Sequence, residues 1–117
     1  MAREIIFYKD HFFDFYAPLQ YKVKMKIKFV LELIKQVENV PGKFLAPIIG
    51  HKGLYEVRVE YESNIYRVFC CFDKGRLVVL FNGFQKKTQK TPKKEIEKAM
   101  RLKQEYFKTK TKSHDRL

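Results

Sequence analysis

The stretch LYEVRVEYESNIYRVFCCFDKGRLVVLFNGF, residues 54–84, decides the fold. From Leu54 to Tyr61 the side chains alternate, with Tyr55, Val57, Val59 and Tyr61 on one face and Glu56, Arg58 and Glu60 on the other. That is the two-residue period of a strand. Glu62-Ser63-Asn64 reads as a tight turn, Ile65–Phe72 as a second strand, Asp73-Lys74-Gly75 as a second hairpin turn and Arg76–Phe84 as a third strand. Together they form an antiparallel meander. On the middle strand, period alone puts Arg67 with Ile65, Phe69 and Cys71, and leaves Tyr66, Val68, Cys70 and Phe72 to pack under helices. A slip of one residue would invert both sets.

Working outward, Glu4–Tyr8 reads as a short buried strand, and Asp10 is placed to cap a short helix carrying Phe12, Phe13, Phe15 and Tyr16 that Pro18 ends. Residues 21–29 alternate apolar and basic, a strand pattern on their own. In a longer window Val23, Ile27, Val30, Ile34 and Val37 recur at spacings of three and four, and no turn signal interrupts Leu19 to Asn39, so one long helix is predicted. The glycines and prolines of residues 41–53 make a loop. Beyond the meander, Thr91 and Pro92 read as cap and first position of a terminal helix whose face carries Ile96, Ala99, Met100, Lys103, Tyr106 and Phe107. The predicted class is α+β, in the order β-α-α-β-β-β-α. Helices cover one face of a four-stranded, mostly antiparallel sheet and leave the other open. Residues 1–107 form the domain, and 108–117, without apolar period, a basic flexible tail.

At 117 residues the chain is one domain's worth, and its apolar runs are far too short to span a bilayer. Charges on both sides of Ile5-Ile6-Phe7 argue against a signal peptide, so a soluble cytoplasmic protein is expected. Cys70 and Cys71 are neighbours on opposite strand faces, unsuited to a disulfide or, without a second pair, to zinc. The net charge of +12 is lopsided, since residues 83–117 alone hold twelve basic and four acidic side chains. Such a field suits a polyanion: RNA, DNA or an acidic protein.

Glu56, Arg58 and Arg67, with the basic stretch containing Lys86, Lys87 and Lys90 after the last strand, would gather one carboxylate and several cations on the open sheet face. Cleaving RNA without a metal needs a base for the 2′-hydroxyl, charge stabilisation for the phosphorane and an acid for the leaving 5′-oxygen. Arginine's planar fork suits the phosphate, and Phe84 or Tyr55 is available to stack a splayed base. The same residues also fit a plain solvated strand face and loop, and Arg67 a stem packed on the sheet. His51 lies in the loop before the first meander strand, beside Lys52. His11 reads as a first-turn helix residue and His114 as part of the tail. Phosphate-loop, serine-hydrolase and zinc-protease motifs are absent.

Three blocks, residues 50–59, Tyr66-Arg67-Val68-Phe69 and residues 83–96, in this order and spacing, resemble the RelE/HigB toxins of the RelE/ParE superfamily, and most of all their HigB-like, phage-derived branch. The likeness runs over about residues 4–107. It implies the toxin of a type II toxin–antitoxin pair, a metal-independent endoribonuclease that needs no cofactor and cuts messenger RNA in the ribosomal A site. Carried across, Arg58 matches a basic catalytic strand residue, Arg67 the arginine that binds the scissile phosphate, and Lys86 or Lys87 the basic residue after the last strand. Glu56 stands where some relatives carry lysine. Phe84, Tyr55, Lys52, His51 and Lys90 would complete the RNA contacts. Where several relatives place a tyrosine or histidine near the end of the last strand, this chain has Phe84, which can stack but cannot move a proton. The acid–base roles then fall to Glu56, Lys86, Lys87 or His51, or charge stabilisation carries most of the rate. Implied partners are messenger RNA, ribosomal RNA and a HigA-like helix-turn-helix antitoxin, with no membrane. Two alternatives keep the fold or the charge but change the activity: a ParE-like gyrase poison and a non-catalytic RNA-binding protein.

Overall fold

The computed structural model describes residues 2–88 and 90–115, with side chains through residue 110. Gln89, Arg116 and Leu117, and the side chain of His114, lie outside that description. The elements are β1 (Glu4–Phe7), α1 (His11–Tyr16), α2 (Tyr21–Gln36), β2 (Leu45–Pro47), β3 (Tyr55–Tyr61), β4 (Asn64–Asp73), β5 (Leu77–Lys86) and α3 (Lys93–Asp115). They form one mixed sheet of five strands in the order β1-β5-β4-β3-β2, with β1 parallel to β5 and the other pairs antiparallel.

The meander is as the alternation predicts. Tyr61 pairs with Asn64 across a two-residue turn, and Glu62 and Ser63 both take positive φ (47° and 68°), the mirror-image geometry whose twist matches a hairpin. Asp73 pairs with Leu77 around a three-residue loop in which Gly75 supplies the left-handed position (φ 63°). Val57, Val59, Tyr66, Val68, Cys70, Val78 and Leu80 pack beneath Val23, Ile27, Val30 and Ile34 of α2 and Phe12 of α1. Arg3 closes the end of α2, its guanidinium donating to the carbonyls of Ile34, Val37 and Glu38 at 2.6–2.8 Å.

Several expectations change. The fifth strand, β2, lies in the predicted loop and pairs with β3. Three residues ending in Pro47 give little strand signal, yet an outer strand tolerates a proline that no inner strand would. β1 is a half-exposed edge strand rather than a buried one. Asp10 makes no side-chain capping bond, and the Pro92 carbonyl accepts the first bond of α3, one residue later than the Thr91 cap predicts.

The second face of the sheet is not open. α3 lies on it, and Ala99 and Leu102 close a second core with Leu54, Phe69, Cys71, Val79, Phe81 and Phe84. Residues Tyr66–Cys71 of β4 are buried without alternation, which is how a strand covered on both sides reads. α3 also runs on through the expected tail to Asp115, and Lys110 reaches back to Asp73 at 2.8 Å.

The β4–β5 ladder carries one irregularity. Val68 faces Gly83 and Cys70 faces Leu80, so Phe69 alone opposes both Phe81 and Asn82. This bulge reverses the alternation of β5. Leu77, Val79 and Phe81 face α3, and beyond the extra residue so do Phe84 and Lys86, while Gly83 turns to the other side under the ring of Phe15. Asn82, buried, donates its amide to the carbonyl and carboxylate of Glu95 and ties the first turn of α3 to the sheet.

Candidate active site

Arg58 of β3 and Arg67 of β4 are directly paired across the ladder and therefore project from the same face. Glu56, two residues before Arg58 on that face, sits between them. Its Oε2 lies 2.8 Å from Arg58 Nε and 3.6 Å from Arg67 Nε. The carboxylate is buried, with side-chain exposure of only 6%, and Oε1 has no hydrogen-bond partner. Arg67 is 10% exposed along its side chain against 37% for Arg58. Burial lowers the affinity of the Arg67 guanidinium for its proton, an effect that the Glu56 charge opposes and Arg58 reinforces. Arg67 also donates to the carbonyl of Tyr66, and Arg58 to that of Gly42.

The pair opens onto a cleft of about 330 Å³ lined by Lys26, Lys43, Phe44, Arg58, Glu60 and Arg67. Lys26 comes from the flank of α2, while Lys43 and Phe44 come from the segment leading into β2, whose Phe44 carbonyl accepts the Arg58 amide at 2.7 Å. Those two basic residues escape a reading of the sequence. Lys26 belongs to the apolar–basic alternation at the start of α2, and Lys43 to a loop, and nothing local says that either turns toward Arg58. A second hollow, of about 400 Å³, is lined by Ser63, Ile65, Lys86, Lys87 and Thr88. It adjoins the first along β4, since Ile65 and Arg67 are two residues, roughly 7 Å, apart on one face. Lys86 pairs with Ile65 and Phe84 with Arg67. The bulge in β5 is what puts both on the arginine side.

A family model described as Phage derived protein Gp49-like (DUF891) matches residues 15–104, about three-quarters of the chain. The chain belongs to this family. The Gp49-like family is a RelE/HigB-like toxin family, and membership makes an antitoxin the natural partner. No curated protein matches the chain. The matched span of this Gp49-like protein includes both arginines, the lysines of both hollows and the first half of α3, and it excludes β1.

The remaining candidates divide. Phe84 is not free to stack a base, being buried and stacked on Phe69 (5.6 Å, 26°) in the α3 core. Tyr55 projects from the opposite face and packs edge-on against Phe72 (4.8 Å). Neither lines the arginine cleft: α3 covers Phe84, and strand alternation turns Tyr55 to the α2 side. His51 and Lys52 lie before the Tyr55 end of β3, where the Lys52 carbonyl accepts from Lys103 of α3 at 3.3 Å. Lys86 and Lys87 lie by the β3–β4 hairpin at the opposite end. Lys90 is exposed in the connection to α3. No helix of the described residues is long and apolar enough to cross a membrane.

Proposed function

We propose that this Gp49-like chain is the toxin of a type II toxin–antitoxin pair and arrests translation by cutting messenger RNA in the ribosomal A site, without a metal ion. The observation that carries the reading is the cross-strand pairing of Arg58 with Arg67 around the buried Glu56 carboxylate.

In that chemistry the 2′-hydroxyl gives its proton to water as its oxygen attacks the neighbouring phosphorus, the bond to the 5′-oxygen breaks and that oxygen is protonated, and the products are a 2′,3′-cyclic phosphate and a 5′-hydroxyl. Negative charge builds on the non-bridging oxygens, and two guanidiniums fixed beside them stabilise it without reorganising. Arg67, nearly buried and held by the sheet, is the phosphate clamp, and Arg58 shares the load from the cleft wall. Glu56 has both oxygens shielded, one by the arginines and one by burial, so it acts as a positioning residue that aims the guanidiniums rather than as a base. Lys86 and Lys87, which line the adjoining hollow, would protonate the leaving oxygen. Lys26 and Lys43 would hold the flanking backbone. Affinity for RNA should then fall steeply with salt as counterions are released.

The test is to add the purified chain to a translating extract and map new 5′ ends on the message, with EDTA added to a parallel sample in which ribosome integrity is controlled. Arg67→Ala is expected to lower cleavage by ~10²–10³-fold while ribosome association persists, and Arg58→Ala serves as a second variant at a less buried position. Arrest with DNA breaks that depend on gyrase, and with no new transcript ends, would replace this reading with the ParE-like one. Undiminished arrest by Arg67→Ala would leave only binding.

A further inference from the structure

A helix packed on a sheet normally gives its outer face to polar residues. α2 does not. Val23, Ile27, Val30 and Ile34 are buried against the sheet, and opposite them Tyr21, Met25 and Phe29 recur every four residues with exposures of 74%, 44% and 55%. They form an apolar ridge about 12 Å long, given 1.5 Å per residue. Lysines line both sides, with Lys22 and Lys26 on one and Lys24 and Lys28 on the other. Lys26 lies 5.6 Å from the centre of the Phe29 ring and also lines the arginine cleft.

We infer that this ridge is the docking surface for an amphipathic acidic helix of a partner protein, whose apolar stripe covers Tyr21, Met25 and Phe29 while its Asp and Glu side chains pair with the flanking lysines. The charge pattern selects that occupant. Two basic rows around an apolar line are complementary to an apolar line between two acidic rows, and the positive field speeds the encounter. An anionic membrane fits less well, because a partner helix can stop short of Glu32, which stands on the same outward face where the ridge ends at 61% side-chain exposure, whereas a flat anionic surface cannot avoid it. RNA also fits less well, because Met25 at the centre of the ridge offers neither a stacking ring nor a hydrogen bond. Since Lys26 belongs to both the flank and the cleft, a seated partner also draws a cation away from the Arg58–Arg67 mouth and narrows it. The link to inhibition rests on the toxin reading; the docking itself does not.

The experiment titrates a fluorescent synthetic helix, with leucines along one face and glutamates on both sides of them, into the full chain and into the triple variant Tyr21→Ser, Met25→Ser, Phe29→Ser. Circular dichroism confirms that the variant is folded, which three exposed positions should allow. A scrambled peptide, a lysine-for-glutamate peptide, phosphatidylglycerol–phosphatidylcholine vesicles and ribosomes are run in parallel. The acidic helix is expected to bind, to shift the amide resonances of α2, and to bind the triple variant about thirty-fold more weakly, the loss a small hot-spot cluster produces. It should also slow messenger cleavage by the native chain but not by the variant. No binding of the acidic helix, equal binding by the variant, or a variant defective only toward vesicles or ribosomes would overturn the inference. Should the chain cleave no RNA at all, the binding and resonance measurements still decide the docking question.

Discussion

Replacing Glu56 by Gln tests whether the carboxylate organises the arginine pair. The substitution keeps shape and removes one charge at a site that is 5% exposed. At an effective dielectric near 20, unit charges 3.6 Å apart attract by roughly 4–5 kcal/mol, and much of that is offset by the cost of desolvating a buried carboxylate. Breaking a buried pair typically costs about 3–5 kcal/mol. Here Arg58 is one-third exposed and screened, and the Gln amide oxygen still accepts a hydrogen bond, so about 2 kcal/mol is expected. For a domain of this size that lowers Tm by about 8 °C. Cleavage should fall more than ten-fold, because the guanidiniums lose their fixed aim, while RNA binding holds or tightens because the cleft gains one positive charge. The assays are thermal unfolding, RNA binding by anisotropy and end-mapping on translating ribosomes. A double-mutant cycle with Arg58→Ala should show a coupling of about 1 kcal/mol. Unchanged Tm and unchanged cleavage in Glu56→Gln would refute the positioning role, and a zero coupling would refute the Arg58 contact as its means.

Three further outcomes are expected from the fold. Asn82→Ala removes the bonds to Glu95 and should cost about 1 kcal/mol, with faster amide exchange confined to the first turns of α3. Gly83→Ala would set a Cβ 2.5–2.8 Å from the Phe15 ring and should destabilise by about 1–3 kcal/mol, with partial rescue by Phe15→Leu. The Asp73 carboxyl is held down to about 2 by Lys110 first and then by Tyr106, against an ordinary value of 3.8. A depressed folded-state pKa stabilises above the unfolded value and is lost on acidification. Stability should therefore decline as pH falls from about 4 through 2, and less so in Asp73→Asn, by urea unfolding across that range.

Legibility in the sequence varies element by element. The α2 face was readable because five positions at helical spacing outweigh a nine-residue alternation that also fits a strand; the first four are buried, and Val37 lies just past the helix end, exposed. Arg58 and Arg67 were placed on one face by alternation, and their direct pairing follows once the turn is known to take two residues. The second core was legible in principle, since the unbroken run Tyr66-Arg67-Val68-Phe69-Cys70-Cys71 needs cover on both sides, yet the same run also passes for a one-sided strand. β2 was hidden by Pro41, Gly42, Pro47 and Gly50, which punctuate a loop and a three-residue edge strand alike. Among the proposed site residues, the burial of Phe84 under α3 and the packing of Tyr55 into the α2-side core depend on what covers each face, and Lys26 and Lys43 come from segments far from the meander in sequence.

Residue period and turn chemistry act locally, so the chain by itself determined its elements apart from β2 and the last turns of α3, the shared side of the two arginines and the weight of positive charge toward the C-terminus. The tertiary structure alone decided that α3 closes the second face, that an extra residue at Phe81–Asn82 brings Lys86 round to the arginines, and that α2 lends Lys26 to their cleft. A bulge is invisible until its partner strand fixes the register, and a lysine's neighbours across a cleft are set by packing between segments that no local pattern connects.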